Sequence, residues 1–168
     1  MAMGSGLVAK ITFTGINVYI KHLERVSDNS EAMAKKSIYQ GAKVIADAVK
    51  EGINNLPTDE SWGTEKRKAA GIKQVQKDGL VESFGVSSVR NDDGFINVKL
   101  GFDGYNNVVT EKHPNGQPNA MIARIAESGT SFTDKSNFME KAVRQSRKQA
   151  EKEMEKVFES EIKKIMKE

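Results

Sequence analysis

Residues 121–138 read MIARIAESGTSFTDKSNF. Ile122, Ile125 and Ala126 fall three and four apart, the spacing of one helix face. Gly129 stands where such a helix would stop, because glycine takes the left-handed C-cap conformation without a Cβ clash. A polar turn follows, and Phe138 opens a long amphipathic segment. Nothing here looks catalytic. The stretch reads as a packing joint between a short helix and a long one, and the expected fold is built outward from it.

Downstream, residues 137–166 read as one helix. Apolar positions Phe138, Met139, Ala142 and Val143 thin out after Gln145 and return as Met154, Val157, Phe158, Ile162 and Ile165. Asn137, with Glu140 three residues later, resembles a capping arrangement. Arg147–Glu151 and Glu159–Lys163 are i,i+4 pairs, each worth a few tenths of a kcal/mol. Roughly thirty helical residues span about 45 Å. The distal half therefore needs another helix, another subunit or solvent, which makes Phe158 and Ile162 candidate interface residues.

Upstream, residues 31–54 carry a second helical pattern. Ala34, Ile38, Gly41, Ala42, Ile45, Ala48, Val49 and Gly52 form a stripe rich in small residues. Such a stripe lets a partner approach closely, so this helix is expected to be central. Leu56-Pro57 ends it, since the residue before proline avoids the helical region. Ile16, Tyr19, Ile20 and Leu23 predict a short amphipathic helix before a turn at residues 27–30. Residues 7–13 alternate and predict a strand. Residues 1–6 are expected to be a flexible leader or a cloning remnant. Their Gly4-Ser5-Gly6 run lacks the preceding strand that a dinucleotide cradle requires.

Between the helices, residues 58–78 are polar and predict a long loop, with one helical turn at 66–73. Loops of that length are usually functional or disordered. Asn91-Asp92-Asp93-Gly94, flanked by GLVESFGVSSVR and GFINVKLGF, predicts a hairpin. Residues 80–84 alternatively form a helical turn leading into the strand at Val86. Residues 103–119 predict an extended loop. The expected fold is α+β, one domain over residues 7–168. A small, mostly antiparallel sheet is packed by a central helix (about 31–54) and a long C-terminal helix (about 137–166).

Composition narrows the function classes. The chain has 168 residues, 38% hydrophobic and 29% charged, with a formal charge of +3 and no cysteine. Disulfide and thiol chemistry are excluded. No apolar run approaches the roughly 18 residues that span a bilayer, so a soluble, cytoplasmically made protein with no membrane partner is expected. The charges are interleaved, which favours a solvated surface over a phosphate track. His22 and His113 lack second ligands at helical or hairpin spacing, and His113 is expected to be exposed in a polar loop. No metal, cofactor or catalytic activity is expected. Ser128-Gly129 lacks the Gly-x-Ser-x-Gly elbow. The local basic concentration is Lys66-Arg67-Lys68 with Lys73, Lys77 and Trp62. It reads either as a solvated loop or as a nucleic-acid-binding module using the Lys66–Lys77 loop, with Trp62 stacking on a base.

The order of these features resembles the head–tail joining, or tail-completion, family of long-tailed bacteriophages and prophages. The residues that carry it are the helix with Lys36 and the run Gly41-Ala42-Lys43-Val44-Ile45-Ala46, closing at Pro57; Leu80, Ser83 and Gly85; the hairpin; Ala126-Glu127 with Gly129-Thr130-Ser131; Phe138; and Ala142. They span roughly residues 16 to 150. The chain departs from the family pattern after Pro57, where the usual Thr-Gly pair is absent, and around Phe138, where proline is absent. The resemblance implies a structural virion protein at the neck, with no chemistry. Its copies would form a ring, often six-fold, between the capsid connector and the tail-tube or tail-terminator proteins, with non-specific contact to DNA in the channel. The expected assembly residues are Trp62, Lys66, Arg67, Lys68, Glu127, Gly129, Thr130, Phe138, Phe158 and Ile162.

Overall fold

The computed structural model describes residues 16–167, with side chains from Val18 onward. The leader at 1–6 and the strand expected at 7–13 lie outside the described residues. The elements run α1 (Ile16–Asp28), α2 (Ser30–Asn54), α3 (Gln74–Ser83), β1 (Phe84–Val86), β2 (Arg90–Asp92), β3 (Phe95–Asn97), β4 (Leu100–Phe102), α4 (Asn119–Ser128) and α5 (Phe138–Ile165). The class is α+β, with the long C-terminal helix packed on the central one.

That packing is the spine of the molecule. Phe138 lies against Gly52 at one end, Met154 against Gly41 in the middle, and Lys36 Nζ reaches Glu161 Oε1 at 2.7 Å at the other. The two helices are therefore antiparallel. The small residues matter as expected. A Cβ on Gly41 would stand 2.5 Å from Met154 Cγ, so the backbones approach closely because Gly41 has none. Ser37 Oγ donates to the Met154 carbonyl at 2.6 Å across the same seam. The buried stripe on α2 is Met33, Ser37, Gly41, Ala42, Ala46, Val49 and Ile53. It is turned slightly from the predicted one, leaving Ile38, Ile45 and Ala48 half-buried. The distal half of α5 is partnered within the chain, where Phe158 and Ile162 are half-buried.

The main core gathers where the small helices and strands close over the other end of this pair. Val49, Ile53, Leu56, Ile72, Leu80, Phe84, Ile122, Ala126 and Phe138 are buried in one cluster. Three local expectations are corrected. The turn at 27–30 contracts to Asn29, whose Nδ2 donates to the Arg25 carbonyl at 2.8 Å, so α1 runs almost directly into α2. The loop after Pro57 ends at Lys73, and residues 74–78, expected in the loop, belong to helix α3. The helical turn expected at 66–73 is replaced by irregular backbone pinned to a neighbouring loop. In α3, Gln76 Oε1 accepts from the Lys73 amide at 2.9 Å and starts the helix one turn later.

The single sheet becomes two ladders. Asp93-Gly94 turns β2 onto β3, and β1 pairs with β4 in the register Phe84↔Phe102, Gly85↔Gly101, Val86↔Leu100. The expected hairpin is present, interrupted between its tip and its base. Loop 103–118 is held by side-chain amides. Gln76 Nε2 donates to Gln117 Oε1 at 2.6 Å, and Asn119 Nδ2 donates to the Asp103 carbonyl at 3.0 Å. His113, expected to be exposed, is half-buried because its amide closes a turn on the Thr110 carbonyl at 3.0 Å.

Candidate assembly surface

Two loops meet at the end of the α2/α5 pair. The Ala69 amide donates to the Phe132 carbonyl at 2.8 Å, and the Asp134 amide returns to the Ala69 carbonyl at 2.9 Å. Asp59 braces the first loop from inside. Its amide donates to the Ile72 carbonyl at 2.9 Å. Its carboxylate accepts from the Ala70 amide at 2.9 Å and the Ser61 amide at 2.8 Å. Those backbone donors, Ala70 first, hold the Asp59 carboxyl down at about 2, because they favour its charged form. The long loop is thus tied down within one chain.

The second loop is fixed by the joint at 121–138. Helix α4 ends at Ser128, and Gly129 takes φ 71 and ψ 176. That is a glycine region but not the left-handed C-cap expected, because ψ is extended. Asn137 does not cap α5 with its side chain; its φ of 53 turns the chain into the helix. The cap comes from Glu127 instead. Its Oε2 accepts from the Met139 amide at 2.8 Å and its Oε1 from the Glu140 amide at 3.1 Å. One carboxylate on α4 thereby satisfies two orphan donors of α5 and faces the positive end of its dipole. Ser136 Oγ donates to the Ala126 carbonyl at 2.7 Å and completes the joint.

The structure brings most of the predicted assembly residues to this corner. Trp62, Gly129 and Thr130 lie on or beside the loop pair, and Lys66, Arg67 and Lys68 are exposed at its rim. Glu127 is there too, as a structural cap. Phe138 is core at 4% exposure, not a surface anchor. Phe158 and Ile162 lie far along α5 and take no part. Lys73 and Lys77 are engaged within the chain. Lys73 Nζ stands 4.3 Å over the Trp62 ring and donates to the Glu60 carbonyl, while Lys77 Nζ donates to the Leu56 carbonyl at 2.9 Å.

Sequence reasoning missed Phe132. It is 49% exposed, and with Trp62 at 61% it lines a hollow of about 380 Å³ whose floor includes Ile72, Gln76 and Ile125. A lone aromatic in a polar turn carries no periodic signal; only the loop pairing brings it into one hollow with Trp62. Among the described residues no group of three or more His, Asp or Glu side chains converges as a metal site would require. Among them, too, no helix is long and apolar enough to cross a membrane. No family model, no curated protein and no solved structure matches the chain.

Proposed function

We propose that the chain is a structural virion subunit of the head–tail joining, or tail-completion, class. Its copies form a ring at the neck of a long-tailed phage or prophage, between the capsid connector and the tail. The reading rests on one observation: two different apolar patches stand at opposite ends of the α2/α5 pair. Trp62 and Phe132 project at one end, and Val18, Tyr19, Ile20 and Leu23 project from α1 at the other. Helix α2, which runs between the two ends, has 25 residues and is about 37 Å long. A patch that meets a different patch on the next copy makes a heterologous interface, which closes into a ring when its rotation closes. Clustered exposed apolar side chains are otherwise rare on monomers. The loops that carry Trp62 and Phe132 are pinned, so they meet a partner at low entropic cost.

Mass in solution across a concentration series, with negative-stain images, tests the ring. Co-sedimentation with purified tails and with tailless heads tests its place in the virion. The expected result is a concentration-dependent oligomer, or a monomer that forms rings on one of those two ends. A chain that stays monomeric and sediments with neither overturns the proposal.

A further inference from the structure

The charge on α5 is divided. Residues 141–152 carry Lys141, Arg144, Arg147, Lys148 and Lys152 against the single carboxylate of Glu151, whereas residues 153–167 hold four lysines and four glutamates. The distal charges are paired in the usual way of a solvated helix, Lys156 with Glu153, Lys163 with Glu159, and Lys164 with Glu161. In the proximal half Glu151 is taken by Arg147 at 2.9 Å. Lys141, Arg144, Lys148 and Lys152 follow at intervals of three, four and four, so they share one face of the helix. All four are exposed, and none has a carboxylate within ion-pairing distance among the described residues. Lys141 Nζ donates only to the Ser136 carbonyl, at 2.7 Å.

The tertiary structure lengthens this row. Lys135 and Lys141 line one cleft of about 450 Å³ between the ends of α2 and α5. Lys135 and Lys68 line the next hollow, beside Gly129 and Thr130. The carboxylates along that path are Glu51 in the cleft and Asp134 in the hollow.

We infer that Lys68, Lys135, Lys141, Arg144, Lys148 and Lys152 form a track for the phosphodiester backbone of a nucleic acid, read without regard to sequence. Along the helix the cations rise by about 4.5–6 Å each, a straight row about 16 Å long. Double-stranded nucleic acid offers the complement, a straight rod with a negative charge every ~1.7 Å of its axis. The track differs from the basic loop at 66–77, whose Lys73 and Lys77 are engaged within the chain. It also stands apart from the ring reading: a monomer that binds duplex keeps this inference and loses that one, and a ring indifferent to duplex does the reverse.

Fluorescence anisotropy with a 30-base-pair DNA duplex of arbitrary sequence, titrated from 50 to 200 mM KCl, reads the track. Binding should weaken steeply with salt, about one unit of log–log slope for each phosphate contacted. Arg144→Glu/Lys148→Glu/Lys152→Glu should weaken binding at least tenfold and flatten that slope. The neutral set Arg144→Gln/Lys148→Gln/Lys152→Gln should lie between, which guards against a folding artefact. Lys156→Glu/Lys163→Glu on the distal half should leave binding unchanged. Absent or salt-insensitive binding at 50 mM KCl overturns the inference, as does wild-type affinity in the proximal triple variants. Competition by polyglutamate as effective as unlabelled duplex would assign the track to an acidic protein surface instead.

Discussion

Glu127 shows how much one side chain can do at a joint. From α4 it caps α5 through two amides, a task that local sequence assigned to Asn137. Losing a helix N-cap typically costs about 0.5–2 kcal/mol. Glu127→Ala should therefore lower stability in urea unfolding by about 1–2 kcal/mol, with Glu127→Gln between it and the native chain because one acceptor oxygen survives. An unchanged midpoint for Glu127→Ala would mean that water replaces the carboxylate without cost. Asp59 makes a second prediction at this scale. Its folded carboxyl titrates at about 2, below the ordinary 3.8. Its contribution is therefore complete above about 3.8 and is lost as pH falls through about 2. Hydrogen exchange at the Ser61 and Ala70 amides should speed up across that window, relative to the intrinsic rates, and Asp59→Asn should abolish the change.

Among the elements, the α2/α5 pair carries the fold, and its two ends differ. At the Phe138 end the side chain is core, packed on Gly52 and buried with Ile53 and Ala142. Phe138→Ala should cost about 3–5 kcal/mol by thermal or denaturant unfolding. A near-neutral result would require the side chain to stand outside the core. At the distal end Phe158, Ile162 and Ile165 are half-buried and the ion pairs are exposed. Pairs of that kind contribute little each. That end should open first, with faster amide exchange in α1 and the last turns of α5 than at Ala142 to Ala150.

For the whole molecule, what remains exposed once the core is complete decides how copies can meet. Trp62 and Phe132 stand on loops that the chain has already ordered, so their substitution separates assembly from folding. Trp62→Ala/Phe132→Ala should reduce the oligomer fraction by tenfold or more at fixed concentration while moving monomer stability by no more than about 1 kcal/mol, the share of the lost Lys73–Trp62 contact. Mass in solution and a thermal melt check the two halves. Equal losses in both would make the pair a structural plug for the hollow between the loops.

The long helices were legible in the residues themselves. The apolar period of residues 31–54 and 137–166 is close to the observed α2 and α5, and Asp93-Gly94 marks its turn without help, because period and turn chemistry are local properties. The joint at 121–138 was also visible as a joint, since Ile122, Ala126 and Phe138 carry their burial in their spacing. Helix α3 was harder to see. Its buried residues are Gln76 and Leu80, and a buried glutamine is unreadable until Gln117 comes to meet it. The rest depends on residues far apart in the chain. Glu127 caps α5 because α4 lies across its start. Phe132 shares a hollow with Trp62 because the Ala69 amide binds its carbonyl. Lys68 and Lys135 share a hollow for the same reason, and that hollow extends a row whose helical part, Lys141 to Lys152, spacing alone already sets on one face. Sequence alone determined the helices, the hairpin and the joint through short-range periodicity. Only the tertiary structure decided the cap, the exposed aromatics that share a hollow, and the extension of the basic row to Lys135 and Lys68, because each is a contact or an alignment between segments that local spacing cannot encode.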